Sequence, residues 1–201
     1  MKYKGKELTK RKVVNNILRY HELATETEVT GGLTWYTEAH ELCVDLSERT
    51  GYPVLNIAGV VAALSPQTSW ELNKVYVVRF LADKLDARGN TTANKKKALA
   101  CLTAKNTGGI KRILNGNKTK AFFFNIAFPE VHGIATVDRH AVAICLQRPD
   151  KVKALPPVQL TDNQYNFFED CYNSASEKLG VNSLELQAIT WVTYRRLRGL
   201  K

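Results

Sequence analysis

Two lysines, Lys118 and Lys120, stand at the mouth of an apolar run in the segment GNKTKAFFFNIAFPEVHGIATVDRH, and Asp138 follows near its end. An amine attacks an electrophilic carbon once it is deprotonated, and a carboxylate offsets the positive charge that builds as a leaving group departs. Around the lysines, Asn115, Gly116 and Asn117 read as a tight turn whose amides, with the helix N-terminus behind them, can hold a phosphate. Asp138 also suits a plain N-cap for the helix it opens, with both lysines solvated, and on spacing alone that is the plainer of the two readings.

The elements that must position these residues are helical. Apolar periodicity predicts a helix from about Thr9 to Glu26, preceded by the basic run Lys2, Lys4, Lys6, Lys10, Arg11 and Lys12. That run suits phosphate contact, or a frayed and solvated tail. Gly31 and Gly32 read as a break, with Thr34 capping a second helix to Thr50 that Gly51 and Pro53 stop. A nearly all-apolar helix from Val54 to Leu64 reads as central to the fold, and Ser65, Pro66 and Gln67 turn the chain into the next. Short helices are expected over about Asn94–Thr103 and Ile110–Leu114, with Thr107, Gly108 and Gly109 as a break between them. The stretch RPDKVKALPPVQLTD, with Pro149, Pro156 and Pro157, is loop-like, and two last helices are expected at Thr161–Lys178 and Ser183–Arg198. No strand alternation or internal repeat stands out, so the fold class is all-α.

Composition narrows the partners. The 201 residues suffice for one domain of one or two lobes, and 44% hydrophobic with 24% charged residues is a globular balance. A formal charge of +10 points first to a polyanion such as nucleic acid. Cys43, Cys101, Cys145 and Cys171 are too far apart for the short spacings of a zinc site, so no metal is expected. They read as buried free thiols of a cytoplasmic protein, and no apolar run is long enough to span a bilayer.

GNKTKAFFFNIAF followed by IATVDRH resembles the endonuclease III-like helix-hairpin-helix (HhH-GPD) DNA glycosylase superfamily, through Gly116, Lys118, Thr119, Asn125, Ala127, Phe128, Val137, Asp138 and His140. Upstream, LSPQTSWELNK resembles the same family's helix corner through Leu64, Ser65, Gln67, Asn73 and Lys74. Together the matches cover about a third of the chain and suggest a divergent phage or prokaryotic member lacking the four-cysteine iron–sulfur loop, hence with no cofactor. The resemblance implies a two-lobed helical fold, with residues of about 1–50 and 150–201 in one lobe, about 54–148 in the other, and a cleft between them. It also implies that Lys118 attacks the sugar C1′, that Asp138 is the assisting carboxylate, and that Gln67 fills the gap left by a flipped base. Gly116, Asn117, Thr119, Arg139 and Lys74 become candidate DNA contacts, and Trp35, Tyr36 and Trp70 candidate pocket walls, each also suited to helix core. His140 reads as a satisfied helix residue.

Two departures stand against the family pattern. Lys118 and Asp138 are 20 residues apart, longer than is usual there; Lys120 restores the spacing but displaces the helix match, so both lysines remain candidate nucleophiles. Leu114 occupies the place of the first hairpin glycine, where a left-handed turn is costly for leucine. The expected function is a monomeric DNA glycosylase, with or without a lyase step. The alternatives are an enzyme acting on modified pyrimidines in phage DNA, a non-catalytic DNA-binding module of the same fold, and a helical domain whose charge serves only solubility.

Overall fold

The computed structural model describes residues 1–83, 89–147 and 158–199. Arg88 and the prolines Pro149, Pro156 and Pro157 lie outside the described residues. The architecture is all-α: ten helices among the described residues, preceded by a minimal antiparallel hairpin of β1 (Lys2–Tyr3) and β2 (Lys6–Glu7). The helices are α1 (Lys10–Glu22), α2 (Glu26–Thr50), α3 (Val54–Leu64), α4 (Trp70–Ala82), α5 (Thr92–Leu102), α6 (Thr107–Ile113), α7 (Asn117–Ala127), α8 (Arg139–Cys145), α9 (Asp162–Leu179) and α10 (Ser183–Leu197).

Both glycine pairs expected to break the chain lie inside helices. Gly31 and Gly32 fall within α2, where a Cβ on Gly32 would stand 2.4 Å from Ile189 Cγ1 and 2.7 Å from its Cα. The glycine is there so that α2 can approach the backbone of α10, a packing requirement rather than a stop signal. Thr34 is accordingly mid-helix and caps nothing; its hydroxyl turns back to the Thr30 carbonyl at 3.4 Å. Gly108 and Gly109 lie in the first turn of α6, because Asn106 caps that helix by accepting from the Gly109 amide at 2.9 Å.

The chain divides into two compact units, Met1–Tyr36 with Glu130–Lys201, and Thr37–Pro129. Relative to the expected boundaries, residues 130–147 move to the unit of the chain ends, and 37–50 move to the other. The reason is packing. α8 lies against α1 and α10, and Asn16 on α1 donates to the Cys145 carbonyl at 2.7 Å. In the second unit, His40 Nδ1 lies 2.9 Å from the Ile126 carbonyl and ties the later part of α2 to α7.

In the first unit α1, α8, α9 and α10 close around Val14, Ile17, Ile144, Phe168, Tyr172 and Tyr194. The second unit is built on α3, whose residues from Asn56 to Leu64 are all buried, with α4, α5, α6 and α7 packed against it. Gly59 lets α5 and α6 close in, since a Cβ there would lie 3.0 Å from that of Cys101 and 3.1 Å from Ile110 Cγ2. Asparagine amides answer the carbonyls that helix ends leave over: Asn56 donates to Cys101 and Ala104 at 2.7 and 2.9 Å, and Asn90 to Leu64 at 2.8 Å. All four cysteines are free and buried. Burial pushes the Cys43 and Cys101 thiols up to about 12 and Cys171 up to about 11, so they stay protonated.

Candidate functional site

In the first unit the site begins with the irregular segment that delivers Asp138. Gly133 takes φ +86°, and Ala135, Thr136 and Val137 then run buried to the cap of α8. Buried backbone outside a helix or sheet needs partners for every polar group. One face of α9 supplies four of them, and the Asp138 amide donates to the Thr136 carbonyl at 3.0 Å. Asn173 donates to the Gly133 carbonyl at 3.1 Å, Glu169 accepts from the Ala135 amide at 3.3 Å, and the Tyr165 hydroxyl donates to the Ala135 carbonyl at 3.1 Å while accepting from the Val137 amide at 3.2 Å. Residues 165, 169 and 173 are spaced at i, i+4 and i+8, which places them in one row along the helix. Burial pushes the Tyr165 hydroxyl well above its ordinary pKa, so it stays neutral and can both donate and accept. From the other side, the Tyr36 hydroxyl lies 2.9 Å from Thr136 Oγ1 and 2.8 Å from Gln187 Oε1.

Asp138 ends this segment as the N-cap of α8. One carboxylate oxygen accepts from the His140 and Ala141 amides at 2.9 and 2.8 Å, and the other lies 3.0 Å from His140 Nδ1. The cap role expected as the plainer alternative is therefore filled. The clamp leaves the Asp138 side chain 19% exposed, while His140 is buried at 10%. His140 is held edge-on by Trp191 and Tyr194, with ring centroids 6.1 and 5.9 Å away, and Arg139 beside it is exposed.

Aromatic residues and a cation complete this region. Trp35 is half-buried, 4.7 Å from Tyr36 and 6.4 Å from Trp191 between centroids, and the Arg195 guanidinium sits 4.6 Å over Trp191. Partial burial lowers the Arg195 pKa, the Asp138 charge opposes that shift, and Arg139 adds to it. Tyr36 is 2% exposed with its hydroxyl engaged, which makes it part of the frame that holds Thr136. Trp191 and Arg195 were not among the sequence candidates; their i, i+4 spacing in WVTYRRLRGL was the available signal.

In the second unit, α6 ends at Ile113 and Leu114 turns extended, φ −76° and ψ 127°, with 1% exposure. Leucine does not adopt a left-handed turn here; the positive φ falls on Gly116, the N-cap of α7, at φ +79° and ψ 142°. Asn117, Lys118, Thr119 and Lys120 then form the first turn of α7, which holds no acidic residue and receives no bond from an N-cap side chain. Lys118 and Lys120 are both half-buried, and two positions along a helix place them on different faces. Lys118 Nζ lies 5.4 Å from the centroid of Phe122, one turn on.

Gln67, Trp70 and Lys74 share the corner between α3 and α4. Gln67 is exposed and left-handed at φ +62°, an uncommon conformation for a residue with a Cβ. Ser69 caps α4, and Lys74 pairs with Glu71 at 2.8 Å and lies 5.9 Å over Trp70. The structure thus gathers Asp138, Arg139, Trp35 and Tyr36 in the first unit. Lys118, Lys120, Gly116, Asn117 and Thr119 lie at the α7 turn of the second, and Gln67, Trp70 and Lys74 at its α3–α4 corner.

Among the described residues, no helix is long and apolar enough to cross a membrane, and no three His, Cys, Asp or Glu side chains are grouped to hold a metal ion. Over residues 1–198 the chain belongs to a family of unknown function (DUF7178). No curated protein and no solved structure matches it.

Proposed function

We propose that this protein is a DNA glycosylase that flips a damaged or modified base out of the stack and releases it. The observation that carries the reading is the Asp138 carboxylate, fixed by two α8 amides and His140 yet still partly exposed. A carboxylate held in this way can offset the cationic character that develops on a sugar as its base departs, without reorganising during the step. Lys118, in the first turn of α7, is the nucleophile of this proposal and Lys120 its rival. The deprotonated amine forms a bond to C1′ as the glycosidic bond breaks, and the base leaves with that electron pair. Loss of the ring oxygen's bond to C1′ then gives a Schiff base, from which β-elimination can cut the strand. Gln67, exposed at a strained corner, suits the gap left by the base.

The test is borohydride trapping on duplexes holding uracil, oxidised pyrimidines, 8-oxoguanine, 5-hydroxymethyluracil or an abasic site. Wild type is expected to give a covalent adduct that Lys118→Ala abolishes and Lys120→Ala keeps. Base release without an adduct, lost in Asp138→Asn, assigns the attack to water. Neither adduct nor release on any duplex overturns the glycosylase reading.

One observation favours a second reading, an enzyme acting on modified pyrimidines in DNA: buried Leu114 replaces a hairpin glycine, which alters the turn expected to grip ordinary duplex. Exchange of a base or its substituent, in place of net base loss, would identify that activity.

A further inference from the structure

The basic N-terminal run is not a frayed tail. β1 and β2 fold it back on itself through a turn at Lys4 and Gly5, φ +45° and +77°, and the Leu8 amide donates to the Met1 carbonyl at 2.7 Å. Tyr3 and Leu8 are buried at 5% and 7%, with the Tyr3 ring edge-on to Phe168 of α9 at 5.8 Å. Gln164, also on α9, donates to the Lys2 carbonyl at 3.4 Å. Thr9 then caps α1 directly, its hydroxyl accepting from the Lys12 amide at 3.3 Å.

This anchoring holds cations in place. Residues 1–12 carry six cationic side chains and a single carboxylate, Glu7. Lys2, Lys4, Lys10, Arg11 and Lys12 are exposed, and the first turn of α1 has no acidic residue. Like charges gathered at the positive end of a helix dipole oppose folding, and the cost is offset when a polyanion binds across them.

We infer that the hairpin and the first turn of α1 form a docking surface for the phosphate backbone of DNA, made of residues that the proposed base chemistry does not use. The inference rests on DNA being the partner of the proposed function. An anionic membrane fits less well. Among the described residues, none of the large apolar side chains left exposed falls within residues 1–12, and Val13, Val14 and Ile17 of α1 are buried, so the segment lacks the exposed apolar face of a membrane-seated helix. Lysine and arginine without neighbouring base-reading groups position a duplex and read no sequence.

The experiment measures binding to an undamaged duplex across a salt series, for wild type and for the triple variant Lys4→Gln, Lys10→Gln, Arg11→Gln. Each lost phosphate contact makes the plot of log affinity against log salt shallower by about 0.9, so the variant is expected to lose about 1 to 3 in slope, equally on unrelated sequences. Hydrogen exchange on wild type gives an arm independent of any variant: the duplex is expected to slow exchange over residues 1–12. Unchanged slope and affinity, or no protection of that segment, overturns the docking surface, as does binding of residues 1–12 to phosphatidylserine vesicles in place of DNA. The arms separate the two ideas. DNA binding by the triple variant that equals wild type sinks only the surface, and a salt slope lost in the variant without base release by wild type on any damaged duplex sinks only the glycosylase.

Discussion

The backbone before Asp138 and the backbone before Lys118 are held in different ways. Gly133–Val137 is irregular, and the carbonyls of Gly133 and Ala135 and the amides of Ala135 and Val137 are answered by α9 side chains 28 to 40 residues further along the chain. Leu114–Gly116 relies on local means, a buried leucine and a glycine in a conformation that other residues avoid. A segment held by distant side chains can be loosened by deleting one atom far from the site in sequence. A segment held by its own backbone responds to a Cβ at one position.

The largest effect is expected from Tyr165→Phe. It keeps the ring but leaves the Ala135 carbonyl and Val137 amide without their hydroxyl, a loss of about 3 kcal/mol of stability in chemical denaturation. Exchange at the Val137, His140 and Ala141 amides should accelerate with it. Protection unchanged at all three would mean that α9 does not position Asp138. Gly116→Ala comes next. Nothing lies within 4 Å of the new Cβ, so the cost is backbone strain alone, about 2 kcal/mol, and it should fall on the α7 turn without affecting the amides of α8.

Gln67→Gly should run the other way, raising stability by about 1 kcal/mol by relieving the left-handed corner while lowering base release. Equal activity would leave the strained glutamine without a functional reason. The smallest effect is a pH dependence. Burial raises the Glu169 pKa, the Ala135 amide opposes this, and Asp170 adds to it. A raised carboxyl pKa means that the folded state binds the proton more tightly, so this stability is complete below the ordinary carboxylate range and is lost as pH rises through the folded value. The melting temperature of Glu169→Gln relative to wild type should therefore climb between pH 4 and pH 7. A flat difference would show that Glu169 is not desolvated.

The helices were legible because apolar periodicity and end signals are local properties: α3 spans the expected Val54–Leu64, and Thr161 caps α9 with Gln164 in a reciprocal box. Asp138 was legible as the start of a helix for the same reason. Glycine was misread at Gly31–Gly32 because its meaning depends on what it touches, and Ile189 is more than 150 residues away. The N-terminal hairpin has two-residue strands, too short to show alternation, and owes its order to Phe168 and Gln164. Local patterns suffice for the all-α class, for the limits of helices such as α3, α9 and α10, and for the residue types able to do chemistry, since these follow from neighbours within a turn or two. It takes the folded chain to show that α9 holds the backbone entering Asp138, that Trp191 packs on His140 with Arg195 over its ring, and that the basic run is anchored. Those contacts join segments far apart in the chain, and no local pattern encodes which distant side chain will satisfy a given buried amide.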